Sequence, residues 1–384
     1  MMERRLWREG SLGIAGKVWQ TNWFYLLLIC CLAAVGYVAL YTAAGGSPQP
    51  YAQKQLVRFF IGLVLMIALA MTDIRIIAKW SWWLYALGIV LLLIVARYGH
   101  VGKGAQRWIA IGGFQLQPSE LMKIFLALAL AHWFHRASYE RVGKVLFLVP
   151  PTLAVLLPVA LILKEPNLGT AVITGTIGAS IFLAAGVRWW KFVLIIGALG
   201  AALPIAYNHL HDYQRQRIIT FMHPERDPLG TGYNIIQSKI ALGSGGMLGR
   251  GFLNGSQGNL DFLPEKQTDF IFDLIAEQFG LVGSLSVLFL LLLIVLGGML
   301  IALRCRHQFG RLVALGISVD LFLYVFVNIA MVMGAIPVGG VPLPLISYGG
   351  SVLITAMLAF GILMSVHVHR DVEFPEANSW PPGK

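Results

Sequence analysis

The chain has 384 residues, 57% of them hydrophobic and 12% charged, with a mean hydropathy of +0.73. A soluble domain carries about twice that share of charge, so a water-soluble globular protein is excluded and the natural unit is the membrane span of about 20 apolar residues. The 29 Lys and Arg against 18 Asp and Glu give +11, but these cations are scattered singly along the connections between apolar runs. That is the pattern of topogenic charge and not of a nucleic-acid face.

Residues 1–22 are basic and amphipathic with no small-residue cleavage site, and are expected to form a cytoplasmic N-terminal segment. Ten apolar runs follow, at about 23–41, 55–71, 77–95, 118–134, 145–163, 168–185, 189–207, 270–303, 312–333 and 345–367. They predict an all-α polytopic membrane protein with ten transmembrane helices in a single domain, 23–370; barrel strands would alternate over about ten residues instead. The eighth run reaches about 51 Å at 1.5 Å per residue, beyond a hydrocarbon core of about 30 Å. Its first turns are therefore expected in a cavity or at the interface.

Sixteen Lys and Arg fall in the termini and short connections of one side, and five (Lys54, Arg97, Lys103, Arg107, Lys164) in those of the other. The imbalance predicts cytoplasmic N- and C-termini, with one large extracytoplasmic loop at about 208–268 and a second connection, 97–117, on the same outer side. The polar, proline-containing stretch 371–384 reads as a disordered cytoplasmic tail. Cys30, Cys31 and Cys305 have no spacing for a disulfide framework or a metal site.

The ionisable residues within or at the edges of the runs are Arg58, Glu120, Lys123, Asp269, Asp273, Glu277 and Asp320. Each costs about 3 kcal/mol at bilayer depth on insertion scales, which makes each a functional candidate. Glu120 and Lys123 lie at i,i+3 just after Pro118, a residue suited to the first helical turn. Their spacing is equally that of a structural ion pair and of paired charges lining an outward cavity. Asp269, Asp273 and Glu277 recur every four residues and predict an acidic stripe on an apolar helix, able to hold a general base or a divalent cation.

Nine glycines occur between Gly230 and Gly258, with neither dinucleotide nor P-loop spacing, and read as tight turns. Arg215, Arg217 and Lys239 beside them are candidates for phosphate contacts. Trp108, next to Arg107, reads either as an interfacial anchor or as a platform for a sugar ring. His132 and His135 have no third ligand in sequence and read as non-metal.

Three segments carry a resemblance: Gly104-Ala105-Gln106-Arg107-Trp108-Ile109 followed by Gln117-Pro118-Ser119-Glu120-Leu121-Met122-Lys123; Phe262 to Phe272; and Pro342 to Ser351. Together they resemble the SEDS family (shape, elongation, division and sporulation), over nearly the whole chain, and Tyr233 to Ala241 is more similar to its cell-elongation branch. The resemblance implies a peptidoglycan glycosyltransferase with ten transmembrane helices in the bacterial cytoplasmic (inner) membrane. It would polymerise lipid II outside that membrane during cell elongation. The implied partners are a class B penicillin-binding protein, a single-span transpeptidase, and other proteins of the elongation complex. A divalent cation, Mg or Mn, would support activity.

The family's essential aspartate falls on Asp269, the proposed general base of an inverting transfer and a possible ligand of the cation. Its important Glu and Lys fall on Glu120 and Lys123, and its loop tryptophan on Trp108. Arg107, Arg217 and Lys239 complete the expected substrate-binding set. The chain departs from the family at Glu165-Pro166-Asn167, where Gln-Pro-Asp is common, at Gln267 for His, and at Asp273 for an uncharged residue. A lipid II flippase would use the same spans and buried charges, and remains the alternative reading at this point.

Overall fold

The computed structural model describes residues 13–102, 105–111, 114–165, 167–208, 215, 219–223, 225, 231–255, 265–337 and 339–374. Each of the ten predicted runs contains a long helix. A short α1 (Ile14–Gln20) precedes α2 (Trp23–Ala43), α3 (Ala52–Met71) and α4 (Ile74–Tyr98). Then come α5 (Pro118–Phe134), a single turn α6 (Tyr139–Val142), α7 (Val145–Lys164), α8 (Leu168–Ala184) and α9 (Trp189–Asn208). The chain continues through α10 (Thr231–Ser244), α11 (Ile271–Arg304), α12 (Gln308–Val332) and α13 (Gly350–Val368). Seven of these helices are long and apolar enough to cross a membrane, α8 and the first part of α9 are shorter apolar helices, and the protein is an all-α polytopic membrane protein.

The central helices are the shorter, better buried ones. α5 and α13 are buried around most of their circumference, whereas α3, α4, α7 and α11 keep an apolar face outward for lipid. Close approach uses small residues, as expected where lipid removes the hydrophobic drive for helix association. Gly62 of α3 packs on Met357 of α13, and Gly361 of α13 lies against the Met66 backbone of α3. Lys17 of α1 donates to the Met71 carbonyl at 2.7 Å, filling an open acceptor at the C-terminus of α3.

The connection 97–117 differs from a plain loop. It forms a three-stranded antiparallel sheet of β1 (His100–Gly102), β2 (Ala105–Ile111) and β3 (Phe114–Leu116). The alternating Gln106–Ile111 stretch and the Gly112-Gly113 pair are ordinary hairpin signals. α5, α8, α11 and α13 all begin at this sheet-bearing end of the bundle.

The long eighth run is broken where its length demanded. Gly280 has φ +66° and ψ −161°, outside helical space, and splits α11 into a short inner piece and a long lipid-facing one. Residues 271–278 are buried on every side, so the first turns lie inside the protein. The glycine-rich segment after α10 fills the break. Arg250 N–H donates to Glu277 O at 3.0 Å and Gly251 N–H to Gln278 O at 3.1 Å, while Leu281 N–H reaches Gly246 O at 2.9 Å and Val282 N–H reaches Met247 O at 3.2 Å. The groups orphaned by the kink are thus satisfied within the protein, as hydrocarbon requires. Gly245 and Gly249 permit this, because a Cβ on either would collide with the backbone of 276–280.

Gly280→Ala is therefore expected to cost more than about 2 kcal/mol, combining a conformation that only glycine tolerates with a clash against Gly249 and Met247. Gly200→Ala in α9, where a Cβ meets nothing within 4 Å, serves as the matched control. Thermal unfolding in detergent should separate the two, and equal melting temperatures would show that the kink is not required.

Candidate active site

The residues with chemical potential gather at the sheet-bearing end, on two levels. The deeper level is a charge cluster between α5 and α12. Lys123 is 1% exposed, and its Nζ lies 3.2 Å from Glu120 Oε2 and 3.3 Å from Asp320 Oδ1. It also bonds to the Tyr324 hydroxyl, which in turn donates to Glu120 Oε2, and stands 3.9 Å from the centre of the Tyr324 ring. One cation thus serves two carboxylates and an aromatic face, the enclosure a buried ammonium needs. Gln117 N–H, at the start of α5, donates to Ser351 Oγ of α13 at 2.9 Å. Lys123 is held by its neighbours and not offered to a ligand. Of the two readings left open by its spacing, the geometry favours a structural pair, which makes Glu120 and Lys123 positioning residues.

The shallower level is built around Asp269. It lies one residue before Phe270, the N-cap of α11, and is half-buried. The predicted acidic stripe is therefore broken: Asp269 stands in a turn, while Asp273 and Glu277 are fully buried on the inner piece of α11. Neither Asp273 oxygen has a hydrogen-bond partner among the described residues. The i,i+4 spacing is real, but the helix starts too late to carry its first member.

Asn328 of α12 ties the levels together. Its Nδ2 donates to Asp269 O at 3.0 Å and to Val341 O at 2.8 Å. Asp320, Tyr324 and Asn328 follow at i, i+4 and i+8 on α12, one face of the helix over about 12 Å. The same stripe grips Lys123 at one end and Asp269 at the other. Around the aspartate, Tyr348 N–H donates to Gln267 O at 2.8 Å and Thr268 Oγ1 to Glu265 Oε2 at 3.1 Å. Gly340, at φ +64°, lies beside the carboxylate: a Cβ there would be in van der Waals contact, 3.7 Å from Asp269 Oδ2.

The remaining predicted residues separate. Arg107 is the extra residue of a β-bulge, since His100 pairs with Trp108 and Val101 with Gln106. Its Nε donates to the Glu165 carbonyl at 3.1 Å, so it braces the α7–α8 connection, and Trp108 is half-buried on the same strand. Lys239 is exposed on α10 and lies against Gly334 at the end of α12. Arg217 falls outside the described residues. Asp320 was a candidate in the sequence as a lone mid-span acid, but Tyr324 and Asn328 were not; the available signal was their four-residue spacing from it.

Glu165 is 2% exposed with both carboxylate oxygens unpartnered among the described residues. Burial pushes its pKa up to about 8, against the pull of the Arg107 charge. Among the described residues no three His, Cys, Asp or Glu side chains gather into a metal site.

Comparison with known proteins follows the same outline. Residues 20–372 match the model of a family described as FtsW, RodA and SpoVE cell cycle proteins. The chain is 43% identical over 350 residues to the Escherichia coli peptidoglycan glycosyltransferase MrdB, covering 90% of this chain and 93% of that one. It is 33% identical over 392 residues to the probable peptidoglycan glycosyltransferase FtsW of Idiomarina loihiensis, covering 96% and 95%. Among solved structures, a chain of a peptidoglycan synthase complex that coordinates polymerization and crosslinking superposes with a TM-score of 0.80 at 32% identity, covering 92% of this chain and 99% of that one. The Thermus thermophilus rod shape determining protein RodA gives 0.70 at 28% identity, covering 92% and 98%.

Two tests follow from the geometry. Glu120→Gln and Lys123→Met should each cost about 3–5 kcal/mol, while the double variant costs much less than their sum, because the second change removes a charge already left unpaired. Additive effects in a thermal or denaturant cycle would show that the two side chains do not interact. For Glu165, the folded pKa lies above the unfolded value near 4.5, so its contribution favours the fold at low pH and is lost as pH rises toward 8. Glu165→Gln should match the wild type near pH 5 and melt a few degrees higher at pH 9, roughly 2–4 °C for each kcal/mol. An unchanged difference between the two pH values would contradict the buried, neutral carboxyl.

Proposed function

Because the chain belongs to the FtsW, RodA and SpoVE family and is a peptidoglycan glycosyltransferase, we propose that it polymerises lipid II with Asp269 as general base. The observation that carries the assignment is the placement of that carboxylate. It stands half-buried in the turn just before α11, fixed through its own backbone by Asn328, with Gly340 beside it.

The sugar 4-hydroxyl of an acceptor attacks the anomeric carbon of a donor lipid II. The new C–O bond forms as the bond to undecaprenyl pyrophosphate breaks, the hydroxyl proton passes to Asp269, and the pyrophosphate leaves with the electron pair. A β-1,4 link from an α-linked donor requires inversion, so the base must sit on the acceptor side. A partly desolvated carboxylate is a stronger base than one in water. Lys123, Glu120, Asp320 and Tyr324 keep α5 and α12 in register, and α12 keeps Asn328 under Asp269. The described residues build no cage for a divalent cation. A Mg or Mn ion would be held at Asp269 together with oxygens of substrate phosphate and water, the hard donors such ions prefer.

The sixteen-to-five charge imbalance supports termini on the cytoplasmic side of the inner membrane and a sheet-bearing, catalytic end facing outward. Likeness to a chain of a peptidoglycan synthase complex supports a crosslinking partner, which we take to be a class B penicillin-binding protein.

Purified protein with its transpeptidase partner and Mg should convert lipid II in detergent micelles to long glycan strands. Micelles have no second leaflet, so transbilayer movement cannot contribute. Asp269→Asn should lower the rate by about 10²–10⁴ while lipid II binding stays near wild type, since a base acts on the transition state. Binding without polymerisation by the wild type, together with Asp269-dependent movement of lipid II across vesicle membranes, would make the protein a flippase instead.

A further inference from the structure

Arg58 is the one cation singled out within the spans that the mechanism leaves unused. It is the seventh residue of α3, about 9 Å along the helix from its sheet-bearing end. Its neighbours Val57, Phe60, Ile61 and Val64 are exposed and apolar, so this side of α3 faces lipid, while Arg58 itself is half-buried. A guanidinium keeps its charge at any working pH and is costly at this depth without an anion.

The protein treats its two intramembrane cations differently. Lys123 receives two carboxylates and a tyrosine. Arg58 receives an aromatic face and a space: its Cζ lies 5.0 Å from the centre of the Tyr348 ring, and the group rests on Gly350, where a Cβ would come within 3.0–3.2 Å of Cζ, Nε and Nη1. No described carboxylate forms an ion pair with it. The ring and the glycine fix the guanidinium plane and leave its donors for a ligand that arrives from the membrane.

The position is tied to the active site through α13 and the segment before it. Gln55, one turn before Arg58, donates to Ser347 O at 3.0 Å. Tyr348, under the guanidinium, donates its N–H to Gln267 O, two residues before Asp269. Ser351, next to Gly350, receives Gln117 N–H at the start of α5. Arg58 therefore stands on the lipid side of the seam between α3 and α13, with the Asp269 turn on the far side of the same seam.

We propose that Arg58 is a substrate-binding residue that holds the pyrophosphate of the prenyl-linked donor as it enters from the bilayer. The proposal rests on the reading of lipid II as substrate. The required chemistry is a lipid phosphate within reach of a side chain that snorkels toward the interface. A planar fork matches pyrophosphate oxygens bidentately, and the charge offsets the anion that leaves in the transfer.

The test uses full-length protein in nanodiscs, with undecaprenyl pyrophosphate as the binding probe and Arg58→Gln and Arg58→Lys as variants. In discs of phosphatidylcholine alone, Arg58→Gln should weaken probe binding about tenfold and raise the KM for lipid II similarly, with kcat changed less. Arg58→Lys should recover part of the loss. Discs containing phosphatidylglycerol should show the same ratio between variant and wild type. A defect seen only with phosphatidylglycerol would assign Arg58 to bulk anionic lipid and overturn the proposal. So would unchanged probe binding, or a fall in melting temperature and kcat with KM and binding intact. Because probe binding needs no turnover, it stands or falls separately from the Asp269 chemistry.

Discussion

The ammonium of Lys123 is the constraint on which the site depends. A cation in the middle of a helix bundle must be enclosed by acceptors or it would drive the helices apart. Here the acceptors come from its own helix at Glu120 and from the neighbouring helix at Asp320 and Tyr324. The cluster therefore fixes the register of α5 against α12 as much as it satisfies a charge. Two turns further along α12, the same register puts Asn328 beneath Asp269. A carboxylate in a turn owes its position to a buried pair about 12 Å away along a helix.

A second constraint comes from the backbone. An apolar run of 34 residues in α11 cannot remain one straight helix inside the bilayer, and Gly280 breaks it. The break exposes amide and carbonyl groups that hydrocarbon cannot solvate. The glycine-rich segment supplies the missing partners through four backbone hydrogen bonds, and it can approach because it has no side chains at Gly245 and Gly249. This ordered junction supports the inner piece of α11, and so the turn that carries Asp269.

The two intramembrane cations also divide the labour of handling a charged lipid. Lys123 is neutralised within the protein and shapes it. Arg58 stands at the lipid-facing seam with an aromatic ring as its only described contact beyond packing. A lipid-linked substrate must bring its phosphates through that boundary, and an unneutralised guanidinium there lowers the barrier to doing so. Gly350 lets the Arg58 guanidinium rest against α13, because a Cβ there would press on it at 3.0–3.2 Å.

The place and helical nature of the apolar runs were legible in the sequence, because hydrocarbon admits few backbone solutions and each run had to be a helix. The Glu120–Lys123 pairing was legible too, since i,i+3 contacts are local geometry. The acidic stripe was not: spacing showed Asp269, Asp273 and Glu277 four apart, but only the packed structure starts α11 after Asp269 and buries the other two. The bulge that turns Arg107 toward Glu165, the partners of Lys123 on α12 and the hold of Asn328 on Asp269 likewise join residues distant in sequence. Periodicity reports which face of one element is apolar. Which faces meet is set by the packing of helices against each other, and that information lies in no single segment of the chain.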